Sequence, residues 1–250
     1  GDPAKTAAFA ERLAQQGVTL LDAPVAGGIP AAHGKEISIM LSGDPAAIET
    51  VKPVMSTISP HLFVCSDKVG SAQTLKSINN TINSVNRFGT LEIAALGRLM
   101  GLSLAQVIEA LDNGLSKSFL TSRLLGGIAN QTPSTDFALA GMFKDVGLSR
   151  GMARAHRLAR PMSEVGSHLV ATAMAVVGED ARLEDLIALT ERLVGCQYLA
   201  APAASLSDAQ VAQTQSVLAL ALQAVHALAV VENIHLLKAL QVNLASAGLV

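Results

Sequence analysis

The sequence predicts an α/β unit followed by an all-α one. Helix-like and strand-like segments alternate through residue 66, and no strand-like segment follows residue 71. The chain is also rich in Ala and Leu, only 3% aromatic and free of Trp, a composition that favours close-packed helices over a β-sandwich.

Taken in order, residues 4–16 read as a helix, with Phe9 and Leu13 four apart and Gly17 placed to cap its end. Residues 18–25 read as a strand running into Ala26-Gly27-Gly28, followed by a turn region and a second apolar strand over 37–41. Ser42-Gly43-Asp44-Pro45 opens a helix that runs to about residue 58, with proline near its first position. A third strand covers 62–65. Three short strands make a poor sheet with open edges, so this part is expected to be the tail of a larger α/β domain.

Beyond residue 71, Leu75, Ile78, Ile82, Val85, Gly89, Glu92, Leu96 and Leu99 fall at three- and four-residue spacing. They predict one helix of roughly 30 residues, near 45 Å at about 1.5 Å per residue. A helix so long cannot bury itself in a small domain, so part of it is expected to pack on another subunit or on a second repeat. Further helices are punctuated by Gly114, Gly126-Gly127, Pro133, Pro161 and Gly178. Residues 92–102 (EIAALGRLMGL) resemble 232–242 (ENIHLLKALQV), either as a weak internal repeat or as two similar Ala/Leu-rich helices. A real second copy would hold Ser216 and Leu220 where the first holds Lys76 and Asn80, and would be structural only.

Composition removes several function classes. A formal net charge of −2 argues against a nucleic-acid footprint or a polybasic membrane patch. The most apolar run, 217–231, is shorter than the roughly 20 residues of a membrane span and is interrupted by Gln223 and His226; a buried helix is expected there. Gly1-Asp2-Pro3 leads into a polar amphipathic segment that does not read as a signal peptide. Cys65 and Cys196 are too few and too far apart for a disulfide framework or a zinc site, and are expected as buried thiols in a reducing cytoplasm. The histidines at 33, 61, 156, 168, 226 and 235 have no metal-ligand spacing, and His226 and His235 are expected to be packed or capped. There is neither a Walker A loop nor a G-x-S-x-G elbow.

Three clusters carry chemistry. In Asp22-Ala23-Pro24-Val25-Ala26-Gly27-Gly28 a strand ends in small residues, and two glycines let backbone N–H groups approach a carboxylate; the ordinary alternative is a plain turn. In residues 70–80 (GSAQTLKSINN), Lys76 and Asn80 share a helix face that Asn83 and Arg87 continue. A lysine partly buried beside Leu75 and Ile78 has a lowered pKa and can exchange protons, whereas the ordinary alternative is a solvated face. The third cluster is Phe137 with Phe143-Lys144-Asp145, whose Lys-Asp pair alone would pass for surface.

Order, spacing and identity together resemble the β-hydroxyacid dehydrogenase (3-hydroxyisobutyrate dehydrogenase-like) family over residues 1 to about 196. DAPVAGG is similar to that family's DAPVSGG substrate loop, GSAQTLKSINN to its catalytic motif, and FKDVGL to its late Lys-Asp motif. The resemblance implies a partial Rossmann-like domain carrying the substrate loop over 1–69. It implies a 6-phosphogluconate-dehydrogenase-like all-α domain over 70–196, joined by a long interdomain helix, and leaves 197–250 as an additional helical segment. It implies hydride transfer between NAD or NADP and a short β-hydroxy acid, and a homo-oligomer formed through the helical domain. Lys76 would be the general acid/base. Ala26, Gly27, Gly28, Asn80, Phe137 and Asp145 would bind or line the substrate site, and Lys144 would lie near the nicotinamide.

Two departures matter. Ala26 stands where the family usually has serine; a lost hydrogen bond to a carboxylate costs about 1.5–3 kcal/mol, so altered preference or weaker substrate binding is expected. No G-x-G-x-x-G occurs in the chain. The front half of the dinucleotide fold is therefore expected to be missing or supplied in trans, and this chain alone to bind NAD(P) very weakly. The competing readings are a non-catalytic helical dimerisation module left by such an enzyme, and a 6-phosphogluconate-dehydrogenase-like enzyme. The second ranks lower because the loop reads GGIPAA and lacks the basic cluster a phosphosugar needs. The segment from Ser207 is expected to replace part of a dimer contact in cis. Substrate identity among 3-hydroxyisobutyrate, glycerate and related acids stays open, as does NAD against NADP.

Overall fold

The computed structural model describes residues 1–200. The readings of the 217–231 run, the 232–242 copy with Ser216 and Leu220, His226, His235 and nearly all of 197–250 lie outside the described residues.

Helix α1 (Pro3–Ala14) starts where Asp2 Oδ1 accepts from the amides of Ala4 and Lys5 at 3.0 and 3.1 Å, with proline in the first turn. The chain leaves it through Gly17 at φ +73°. The strand expected over 18–25 is only β1 (Val25–Ala26) plus a single bridge between Asp22 and Ser42. A ladder needs a neighbour, and the stretch before Asp22 has no strand beside it among the described residues. The turn region after the glycines is instead α2 (Gly28–His33), since Pro30 sits in the first helical turn, where its missing N–H costs nothing.

The remaining α/β elements are β2 (Ser38–Ser42), α3 (Pro45–Ile58, capped by Asp44 Oδ1 on Ala47 N at 2.8 Å) and β3 (Leu62–Ser66). β1 pairs antiparallel to β2, with Val25 opposite Ile39, and β2 pairs parallel to β3, with Ile39 opposite Leu62. Ile37, Ile39, Leu41 and Ile48 form the small core between sheet and α3. Phe63 and Val64 on β3 are more than half exposed, as a thin sheet cannot cover both faces.

The helical part is built on α4 (Ser71–Leu99, 29 residues). Around it stand α5 (Leu104–Asn113), a π-helical turn at Leu120–Leu124, α6 (Leu125–Asn130), α7 (Leu139–Ala155), α8 (Pro161–Val177) and α9 (Asp185–Val194). Gly126 and Gly127, expected to separate helices, lie inside α6. A side chain at Gly127 would strike Thr132 O at 2.7 Å, so this glycine serves close approach. Phe88, Leu139, Met142, Val170 and Leu186 form one core cluster, and Leu91, Ala94, Ala95, Leu120, Leu125 and Tyr198 a second. Burying each large apolar side chain contributes about 1.5–3 kcal/mol.

The long helix forms as expected, but its apolar stripe faces outward. Leu75, Ile78, Ile82 and Leu96 are 40–52% exposed, while Ser77, Asn80, Thr81, Ser84 and Arg87 are buried. Val85, further along that stripe, is half-buried where Gly166 of α8 approaches it. Cys65 and Cys196 are free and half-buried rather than fully buried. No helix among the described residues is long and apolar enough to cross a membrane, and none of their His, Cys, Asp and Glu side chains group to hold a metal.

Candidate active site

The two parts are joined by a capping arrangement. α4 begins after Gly70, which sits at φ +97° and has no side chain with which to cap the helix. Asp22, 2% exposed at the far end of the sheet, performs that role: its Oδ2 accepts from Gly70 N at 3.1 Å and Gln73 N at 3.0 Å, and its Oδ1 from Gln73 Nε2 at 2.8 Å. Ser42 Oγ accepts from Ala72 N at 3.1 Å. The amides that the helix start leaves unpaired are thus satisfied by Asp22, on the segment that leads to the glycine loop, and by Ser42 on β2. Because Lys76 lies one turn further along α4, Asp22 sets the distance between that lysine and the loop.

The loop itself needs both glycines. Gly27 is at φ +132° and Gly28 at φ +77°, and a Cβ on Gly28 would stand 2.2 Å from Thr135 O. Ile29 N donates to Thr135 O at 3.1 Å, docking the loop on the helical part, while among the described residues the amides of Gly27 and Gly28 take part in no turn or loop hydrogen bond. Thr135 is positioned in turn by Glu184, whose Oε1 accepts from Ser134 N and Oγ, Thr135 N and Oγ1, and Asp136 N at 2.8–3.3 Å. Burial works to raise the Glu184 pKa, but these donors outweigh it and hold the carboxyl below its usual range. Arg87, 1% exposed, faces this region; its three side-chain nitrogens and Glu184 Oε2 have no hydrogen-bond partner among the described residues. Burial pushes the Arg87 guanidinium down to about 10, against the upward pull of the Glu184 charge.

Lys76 stands with its ammonium 5.8 Å from the centroid of the Phe137 ring. Its pKa is lowered, first by burial; Asp145 opposes that shift and Lys144 adds to it. Asn80, 5% exposed, gives Nδ2 to Asp145 Oδ2 at 2.7 Å and accepts from Asn79 Nδ2 at 3.2 Å. Asp145, 4% exposed, also holds Lys144 Nζ at 3.0 Å.

Ala26, Gly27, Gly28, Lys76, Asn80 and Phe137 line one cavity of about 600 Å³. Asp145 and Lys144 do not line its wall; Asp145 reaches it through Asn80, and Lys144 through Asp145. The partial burial of Lys76 does not come from Leu75 and Ile78, which point outward; Phe137 is the side chain that stands against it. Sequence reading did not assign Asn79, Phe119, Arg123, Ser134 and Thr135 to the site, nor Asn83 beyond its shared face, yet all line the cavity. Asn79 and Asn83 were within reach of helical periodicity. The others come from connections after α5 and α6, which carry no local motif.

Two family models match the chain. Residues 70–190 match the NAD-binding domain of NADP-dependent 3-hydroxyisobutyrate dehydrogenase, and residues 1–67 the NAD binding domain of 6-phosphogluconate dehydrogenase. The 3-hydroxyisobutyrate dehydrogenase of Pseudomonas aeruginosa is 29% identical over 167 residues, 64% of this chain and 56% of that protein. The NAD-dependent L-serine dehydrogenase of the same organism is 30% identical over 162 residues, 62% of this chain and 54% of that protein. A crystal structure of 3-hydroxyisobutyrate dehydrogenase from Salmonella typhimurium superposes with a TM-score of 0.65 at 24% identity, over 75% of this chain and 66% of that one. The chain therefore spans little more than half the length of these sequence relatives.

Likeness over both parts sets the fold among nicotinamide-binding proteins that join a Rossmann-type unit to a helical one, here a partial Rossmann-like part with a helical domain. Within that class, the chain belongs to the β-hydroxyacid dehydrogenase family.

Proposed function

We propose that this chain carries the substrate-handling part of an NAD(P)-dependent dehydrogenase acting on the hydroxyl of a short β-hydroxy acid. The observation that supports it most is a half-buried, pKa-lowered lysine sharing a cavity with two glycines whose amides take part in no turn or loop hydrogen bond among the described residues. On this reading the amides of Gly27 and Gly28 receive the substrate carboxylate. NAD(P), when bound, supplies or takes the hydride. In the reducing direction the carbonyl oxygen gains negative charge, and the Lys76 ammonium both stabilises it and gives it a proton; in the oxidising direction neutral Lys76 takes the proton from the hydroxyl. Burial makes the neutral form accessible nearer to neutrality than for a surface lysine.

The described residues fit the reactive end of such a cofactor. The cavity exceeds what a four-carbon acid fills, and Phe137, Met142 and Leu183 give it an apolar side suited to a planar ring. Asn80 is a positioning group as much as a substrate ligand, because its amide nitrogen is engaged by Asp145. On this reading Lys144, held by that same carboxylate, helps close the site toward the cofactor. We set the domain boundary at 69/70, and propose a cytoplasmic homo-oligomer whose contact uses the exposed stripe of α4.

The test is reduction of short semialdehyde acids by NADH and NADPH at millimolar concentration, with Lys76→Ala beside the parent chain. Loss of a general acid/base predicts a fall of about 10²–10⁴-fold. Equal turnover by the two proteins contradicts the assignment.

A further inference from the structure

The π-helical turn at Leu120–Leu124 brings one cation into the cavity that the chemistry above does not use. Its backbone is held from both sides. Ser118 Oγ accepts from Leu120 N and Thr121 N, both at 3.2 Å, and Thr121 Oγ1 accepts from Ser118 N at 2.9 Å. Thr121 Oγ1 and Ser122 Oγ donate to Asp112 Oδ1 at 2.6 and 2.9 Å. Leu120 and Leu124 are sunk in the core at 2% and 1% exposure. With those residues fixed inward, Phe119 and Arg123, one turn apart, are left on the cavity side, and both line it.

Arg123 makes no hydrogen bond or ion pair to any described residue. Among the described residues, the only acidic one lining the cavity is Glu36, whose Oε2 is taken by His61 Nε2 at 2.8 Å. Lys76 and Arg123 therefore face the same space with little negative charge between them. A substrate with one carboxylate, seated on the glycine loop, would leave the guanidinium unmatched. A planar guanidinium fork pairs with a carboxylate through two parallel hydrogen bonds, a geometry that ammonium groups lack.

We propose that Arg123 is a second carboxylate subsite, so that the acid handled here is a hydroxy diacid with one carboxylate at Gly27–Gly28 and the other at Arg123. The inference rests on the reading of the glycine loop as the first carboxylate receiver.

The experiment is calorimetric titration of the chain with 3-hydroxybutyrate and with 3-hydroxyglutarate, which share the hydroxyl position and differ in the second carboxylate. The diacid is expected to bind at least about tenfold tighter, the order expected for one charge-assisted contact. Arg123→Gln should bring the diacid to the level of the monoacid while changing the monoacid about twofold or less, and Arg123→Lys should restore part of the difference. Because Arg123 is exposed, neither variant disturbs the core. No diacid advantage, or equal weakening of both acids by Arg123→Gln, overturns the second subsite and leaves the first in place. Failure of both acids to bind overturns the glycine-loop reading along with it.

Discussion

The two halves of α4 make a direct comparison. From Ser71 to Arg87 the covered face is polar: Ser77, Asn80, Thr81, Ser84 and Arg87 are all buried. From Phe88 to Leu99 it is mostly apolar, with Phe88, Leu91, Ala94 and Ala95 at 0–9% exposure and Tyr198 Oη donating to Leu91 O at 2.8 Å. The far half is a packing pillar. The near half forgoes that burial to place an ammonium and three asparagines on a cavity, and is held by caps instead. Desolvated polar groups stabilise less than packed leucines, so the near half should be the weaker and the chemically active one.

Four changes break or sharpen this contrast. The largest is expected in the far half: Leu91→Ala should lower unfolding free energy by about 2–5 kcal/mol in denaturant titration, with little change in ligand binding at the cavity. In the near half, Asp22→Ala leaves the amides of Gly70 and Gln73 without their acceptor and should cost about 1–2 kcal/mol. Its signature is different, because weakened acid binding should accompany the smaller loss of stability.

The third change concerns charge. The folded pKa of Lys76 lies below its ordinary 10.5. Between that lowered value and 10.5 the unfolded chain binds more protons than the folded one, so the Lys76 contribution to stability grows as pH rises through this window. Below it, the full cost of burying the charge is present. Lys76→Met should therefore gain on the parent at neutral pH, and the gap should close toward pH 10; a gap that widens with pH contradicts the burial of the ammonium. The smallest effect is expected outside: Ile82→Ser on the exposed stripe should change the stability of the isolated chain by less than about 0.5 kcal/mol. At concentrations where the proposed homo-oligomer forms through that face, the loss should be larger and grow with protein concentration.

Local chemistry was readable in the sequence. Asp44-Pro45 announced α3, the three- and four-residue spacing announced α4, and the ordered glycine, lysine and Lys-Asp motifs pointed to residues that the fold brings near one another. Features that depend on distant chain segments were not. Periodicity reports which side of a helix is apolar, not which side the chain covers, so the outward stripe of α4 was invisible. The strand over 18–25 satisfied local pattern but lacked a neighbour for most of its length. Asp22 belonged to a recognised motif, yet its role as the cap of a helix 48 residues away required the folded geometry. Thr135 and Arg123 entered the site through connections whose sequence carries no periodic signal.

The central claim is that Lys76 is a half-buried amine facing the Gly27–Gly28 amides across a shared cavity. Nitrogen-15 NMR of the lysine side chain and the loop amides, recorded against pH with and without 3-hydroxybutyrate, tests it directly. The expected result is a Lys76 midpoint below 10.5 that shifts on adding the acid, together with movement of both glycine amides. A Lys76 that titrates like a surface lysine, with glycine amides indifferent to the acid, would contradict it.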